Sequence, residues 1–162
     1  MHKDVRLLIV DDEVRFVQSL ARRLQLRGFA VATALSGSEA LLAAEHQPFD
    51  VVLLDLKMPG MNGEDVLDRL KTDYPNTEVI ILTGHGSIDS AVKCTQAGSH
   101  SYLQKPCETE LLLEAIKDAY QRRVARKLHL DEASMEDLLR NATGQGPLGI
   151  LKHLQELERK TS

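Results

Sequence analysis

Four short apolar runs recur along the chain, and each ends near a side chain suited to phosphate or metal chemistry: LLIV before Asp11 and Asp12, VVLL before Asp55, IIL before Thr83, and YLQ before Lys105. Runs of this kind predict strands buried on both faces of a parallel sheet, whose carboxyl ends open on one rim. Helix-type spacing fills the intervals. A strand is expected over 5–10, then a helix over 13–26 with Val14, Val17, Leu20, Ala21 and Leu24 on its apolar side and a stop at Gly28. A strand over 29–34 leads to Ser36, an N-cap with Glu39 three residues on, and a helix through His46. The pattern repeats with a strand over 50–54 and a helix over 64–72, then a strand over 78–82 and a helix over 87–97 closed by Gly98. The fifth strand is expected over 99–103, and a long helical pattern runs from Cys107 past Tyr120 into the basic stretch 122–127.

Five βα units with right-handed crossovers make an α/β fold, a doubly wound parallel sheet of the flavodoxin-like (βα)5 kind with strand order 2-1-3-4-5, to which C-terminal helices are added. Such sheets bind ligands where the strand order reverses, here between the first and third strands, which carry Asp11, Asp12 and Asp55. Burial pattern and topology thus place the site on the same rim. The length, 162 residues with 43% hydrophobic, suits one compact domain and a modest appendage. We divide it as 1–123 for the main domain and 124–162 for a helical extension. With 20 basic against 24 acidic residues and a net charge of -4, bulk attraction to nucleic acid or to an anionic membrane is not expected. Cys94 and Cys107 lack disulfide or metal spacing, which points to a reducing cytoplasm.

Three carboxylates in one cleft repel one another unless a cation compensates them, and a hard divalent ion with oxygen ligands, Mg²⁺, answers that requirement. A carboxylate is also a nucleophile toward phosphorus, and phosphoryl transfer needs its equatorial oxygens met by metal, ammonium and hydroxyl donors; Lys105 and Thr83 are of the right type. Taken singly, each aspartate could cap a helix, Thr83 could end a strand and Lys105 could be a solvated lysine. Only the ensemble gives them chemistry. Gly84 and Gly86 follow the fourth strand without the third glycine of a nucleotide loop, and His85, His100, Cys94 and Cys107 show no transition-metal spacing.

The motifs LLIVDDE, VVLLDLKMPGMNG, VIILTGHGS and YLQKP stand in the order and at the spacing of the receiver domains of bacterial two-component response regulators, which the chain resembles over about residues 5–120. Residue by residue, the resemblance implies that Asp55 is the phosphoacceptor, that Asp12 binds Mg²⁺ directly and Asp11 through water, and that the backbone carbonyl of Lys57 is a further ligand. Thr83 and Lys105 would bind the phosphoryl oxygens, Tyr102 would be a switch aromatic, and the bond before Pro106 would be cis. Lys57 and His85, two residues beyond Asp55 and Thr83, would tune the lifetime of the acyl phosphate. The implied partners are a sensor histidine kinase or phosphotransfer protein, a downstream protein target, and a second copy in a homodimer. Chemistry is confined to self-phosphorylation and self-dephosphorylation, so the chain is a signalling protein of a phosphorelay and no enzyme for outside substrates.

Two rivals fail on charge. A flavin-binding carrier of this fold needs a Ser/Thr/Gly-rich loop after the first strand, where this chain has DDE. An aspartate-nucleophile phosphatase needs a second aspartate at the position of Lys57. In the tail, Ser134 and Asp137 suggest a capped helix through Ala142, broken at Gly144, Gly146 and Pro147, and Ile150, Leu151, Leu154 and Leu157 stripe a last amphipathic helix. Its apolar face needs a partner. A packing or dimerisation tail is expected, with output through protein contact; duplex DNA is not an expected partner. The alternative is a transcription regulator whose C-terminal helices bind DNA.

Overall fold

The computed structural model describes residues 4–142 and 144–161. The chain forms two compact units, Met1–Cys107 and Glu108–Ser162. The first alternates strand and helix: β1 (Arg6–Val10), α1 (Val14–Gln25), β2 (Ala30–Ala34), α2 (Gly37–His46), β3 (Val51–Leu54), α3 (Gly63–Asp73), β4 (Glu78–Thr83), α4 (Ile88–Gln96) and β5 (Ser101–Gln104). The five strands are all parallel, in the order β2-β1-β3-β4-β5. The chain therefore has the flavodoxin-like topology expected of it, and its order reverses between β1 and β3.

The two apolar faces of the sheet explain why the runs are continuous. Leu8, Val10, Val52, Leu54, Val79 and Ile81 join Ala40, Ala44, Val66, Leu67, Leu70 and Cys94 in one buried cluster beneath α2, α3 and α4. Their neighbours Leu7, Ile9, Leu53 and Ile80 point the other way and are equally buried, while α1 sets Val17, Leu20, Ala21 and Leu24 inward and lies along β1 and β2. Each such leucine, isoleucine or valine contributes about 1.5–3 kcal/mol by leaving water. One expected position differs. Val14 is exposed, and Phe16, half-buried, is the apolar residue of the first turn of α1.

Helix entries follow local chemistry. Ser36 Oγ accepts the amide of Glu39, whose carboxylate in turn accepts the amide of Leu35, and Asn62 and Ser87 cap α3 and α4 through Asp65 and Ser90. Gly63 is needed because α3 begins against the strand it follows: a Cβ there would sit 2.4 Å from the carbonyl oxygen of Asp55 and 2.5 Å from Leu56 Cα.

The second unit is helical: α5 (Thr109–Lys127), α6 (Glu132–Leu139), a 3-10 turn (Arg140–Ala142) and α7 (Gly146–Thr161). α6 opens two to three residues earlier than expected, because Asp131 caps it through the amide of Ser134, and its end tightens into the 3-10 turn. Pro147 lies in the first turn of α7, where its missing N–H costs nothing, so it helps open that helix. The leucine stripe of α7 finds its partner within the unit. α7 packs along α5, with Leu151 and Leu154 buried, and Glu158 accepts hydrogen bonds from Tyr120, Arg123 (3.3 Å) and Lys127 (2.8 Å). Among the described residues, no helix is long and apolar enough to cross a membrane.

Candidate functional site

Asp11 is the first residue beyond β1, Asp55 the first beyond β3, Thr83 ends β4, and Lys105 follows β5. The parallel register is what brings them to one rim. Asp55 donates its amide to the carbonyl of Val10, the amide of Asp11 reaches Ala34, and that of Lys105 reaches Thr83, so the sheet ladder continues one residue past the strands and holds these backbones in place.

The side chains of Asp11, Asp12 and Asp55 each offer an oxygen, and these atoms lie within 4.8 Å of one another. Asp11 and Asp55 are buried while Asp12 is exposed. Asp55 Oδ1 is buried and has no hydrogen-bond partner among the described residues. A buried carboxylate oxygen beside two further carboxylates is a hard donor set, and it fits a divalent cation. Lys105 supplies the positive charge that the protein itself contributes. Its Nζ lies 2.5 Å from Asp11 Oδ2, 3.5 Å from Glu13 and 3.8 Å from Asp55 Oδ2. Burial works to lower the lysine pKa, but the hydrogen bond and charge of Asp11, with Asp55 and Glu13 behind them, outweigh it and raise the pKa above its ordinary value. The ammonium is therefore fully charged at neutral pH.

Thr83 is buried and its Oγ1 accepts the amide of His85 at 3.2 Å. His85 itself is exposed, as is Lys57, which lines a shallow depression of about 360 Å³ with Leu56, Met58, Pro59 and Asn62. Tyr102 is half-buried in β5. Its hydroxyl is buried with no partner among the described residues, and Gly86 lies close enough that a Cβ there would be 3.2 Å from Tyr102 Oη and Cε1. The Lys105–Pro106 bond is cis. Cys94 is buried and Cys107 half-buried, and neither is in a disulfide.

Two features escaped the sequence. Arg6 and Asp50 pair at the opposite, amino-terminal edge of the sheet, where Asp50 accepts the Arg6 amide at 2.8 Å and its guanidinium at 2.9 and 3.3 Å. Phe16 places its ring 4.1 Å from Lys105 Nζ. The available signal was the i, i+3 spacing of Glu13 and Phe16, which puts both on one side of the first turn of α1.

A parallel sheet with an acidic cluster at its switch point and a lysine held over it belongs to the doubly wound α/β class whose ligand sites open at the strand carboxyl ends. The chain belongs to the response regulator receiver domain family, which it matches over residues 7–117. It is similar to the transcriptional regulatory protein GlrR of Escherichia coli (strain K12), with 41% identity over 120 residues, covering 74% of this chain and 27% of that protein. It is 36% identical over 143 residues to the alginate biosynthesis transcriptional regulatory protein AlgB of Pseudomonas aeruginosa, covering 88% of this chain and 31% of AlgB. Among solved structures, a CheY-like response regulator receiver domain protein from Methanospirillum hungatei JF-1 superposes with a TM-score of 0.74 at 31% identity, over 76% of this chain and 99% of that one. The chain thus spans less than a third of the length of GlrR or AlgB. Both are named as transcriptional regulators, so the expectation that DNA is no partner finds no support in them.

Proposed function

We propose that the chain is the phosphoacceptor of a two-component phosphorelay and that Asp55 carries the phosphoryl group. The observation that carries this reading is the Oδ1 of Asp55 at the sheet's switch point, buried and without a hydrogen-bond partner among the described residues, with the Lys105 ammonium 3.8 Å from its other oxygen. A partner histidine kinase or phosphotransfer protein presents phosphohistidine. An Asp55 oxygen attacks phosphorus in line, the P–N bond breaks, and its electron pair leaves on the imidazole nitrogen, which then takes a proton. Asp11, Asp12, Asp55 and the Lys57 carbonyl would hold Mg²⁺, which when bound neutralises charge on the phosphoryl oxygens. Lys105 and the Thr83 hydroxyl meet the remaining phosphoryl oxygens. Tyr102 changes rotamer as Thr83 moves, and Lys57 and His85 flank the water that later hydrolyses the acyl phosphate.

In this reading the receiver spans 1–123, the helical extension 124–162 follows it, and the output is a conformational switch read by contact with a downstream protein or a second copy. The setting is the cytoplasm, a reducing compartment that suits Cys94 and Cys107, neither of which is in a disulfide. A second reading is favoured by the names of GlrR and AlgB: a transcription regulator in which the C-terminal helices bind DNA. DNA affinity that rises on phosphorylation and falls steeply with salt would select it.

The test is intact mass of wild type and Asp55→Asn after incubation with Mg²⁺ and acetyl phosphate, with light-scattering size measured in parallel with and without beryllofluoride. Gain of one phosphoryl group by wild type alone supports the reading. Equal gain by Asp55→Asn, or none by wild type, overturns it.

A further inference from the structure

The Lys105 ammonium has a choice of anions. Asp11 is at 2.5 Å, Glu13 at 3.5 Å and Asp55 at 3.8 Å, and a lysine on a flexible four-carbon stem moves readily among such partners. Glu13 is largely exposed, so a swing toward it takes the charge into water and away from Asp55. What limits that swing is apolar. The Phe16 ring lies with its centroid 4.1 Å from Nζ, well inside the range at which a ring's negative face attracts a cation. The ring sits on the first turn of α1 and is itself half-buried, while the lysine side chain is only 14% exposed, so little water competes for the ammonium. Phe16 makes the α1 side of a cradle whose other walls are Asp11 and Asp55.

We propose that Phe16 is a positioning residue, which holds the Lys105 ammonium against the Asp11–Asp55 pair through the face of its ring; the effect on phosphoryl transfer rests on the function proposed above. A cation–π contact of about 1 kcal/mol corresponds to about fivefold in a rate. The experiment replaces Phe16 with leucine, with tryptophan, and with phenylalanines of increasing ring fluorination, which drain the negative face while keeping the shape. Two readouts are taken. One is the rate of Mg²⁺-dependent phosphorylation by acetyl phosphate at saturating Mg²⁺. The other, recorded without Mg²⁺, is the proton shift of the Lys105 ε-methylene, which a ring face displaces upfield.

The expected result is a rate about fivefold lower in Phe16→Leu and a stepwise fall with fluorination, with Phe16→Trp at or above wild type. The ε-methylene shift should relax toward its ordinary position in Phe16→Leu and return in Phe16→Trp. A merely structural ring would give rates indifferent to fluorination. Rates unchanged by both leucine and fluorination overturn the proposal. Should wild type take no phosphoryl group, the function proposed above fails, and the Mg²⁺-free shifts decide the positioning alone: a Lys105 ε-methylene that ignores Phe16→Leu refutes it.

Discussion

The docking of α7 on α5 includes one mostly buried carboxylate beside the leucine stripe, and Glu158→Gln measures its share. Glu158 accepts from the Tyr120 hydroxyl, from Arg123 at 3.3 Å and from Lys127 at 2.8 Å, and its side chain is 18% exposed. Burial pushes its carboxyl pKa up, but the hydrogen bonds of Lys127 and Tyr120 and the charges of Lys127 and Arg123 outweigh burial, so the net shift is downward. That direction fixes the sign: the ionised form is favoured in the folded unit. Glutamine keeps the shape and a neutral acceptor. It turns charge-assisted bonds, each about twice as strong as neutral ones, into neutral ones. Lys127 is half-exposed and adds little, whereas Tyr120 and Arg123 are mostly buried and should lose about 1 kcal/mol each. The sum, about 2 kcal/mol, is roughly thirtyfold in the opening equilibrium of α7. Amide hydrogen exchange over residues 146–161 reads it directly. Because the folded pKa is depressed, the stabilisation is complete above the unfolded pKa and is lost as pH falls through the folded value. Protection of α7 in wild type should therefore fall on acidification below about pH 4.5, and in Glu158→Gln should be flatter there. Leu154→Ala, which empties a buried position of the same helix, is the control. Exchange within about threefold of wild type in Glu158→Gln, with the control accelerated, would refute the reasoning.

Two other substitutions have clear signs. Gly63→Ala drives a Cβ to 2.4 Å from the Asp55 carbonyl oxygen and 2.5 Å from Leu56 Cα, both backbone atoms that cannot step aside; unfolding in urea should show a loss of about 3 kcal/mol or more, and a loss under about 1 would mean that the loop shifts freely. Tyr102→Phe removes a buried hydroxyl that has no partner among the described residues, so it should raise stability by about 1 kcal/mol in the same assay, and a loss of that size would show that the hydroxyl is satisfied.

The sequence by itself determined the sheet and its rim. Continuous runs of four residues such as VVLL and VIIL, too short for a helix and bounded by turn residues, read as strands covered on both faces, and with the strand over 29–34 they make five strands separated by helix-patterned stretches, for which a parallel, doubly wound sheet is the economical solution. The placement of Asp11, Asp55, Thr83 and Lys105 on one rim follows, because the carboxyl ends of parallel strands all open on the same edge of the sheet. Local caps were legible for the same reason: Ser36 and Glu39 interact across three residues and need nothing distant.

What the tertiary structure alone decided depends on distances between elements remote in sequence. Whether Phe16 or Val14 turns inward at the start of α1 is set by the rotation of the helix on β1 and β2, and the periodicity of the first turn fits either choice. That the Lys105 ammonium lies nearer Asp11 than Asp55 is a competition among anions, and it depends on differences of about an ångström. The pairing of Arg6 with Asp50 joins the first strand to the residue ahead of the third across 44 positions, and no local rule relates them. The cover for the leucine stripe of α7 is the clearest case. An amphipathic helix states that its apolar face is covered, not by what; only the folded chain, with Leu151 and Leu154 buried and Glu158 held by Tyr120, Arg123 and Lys127, shows that α5 covers it.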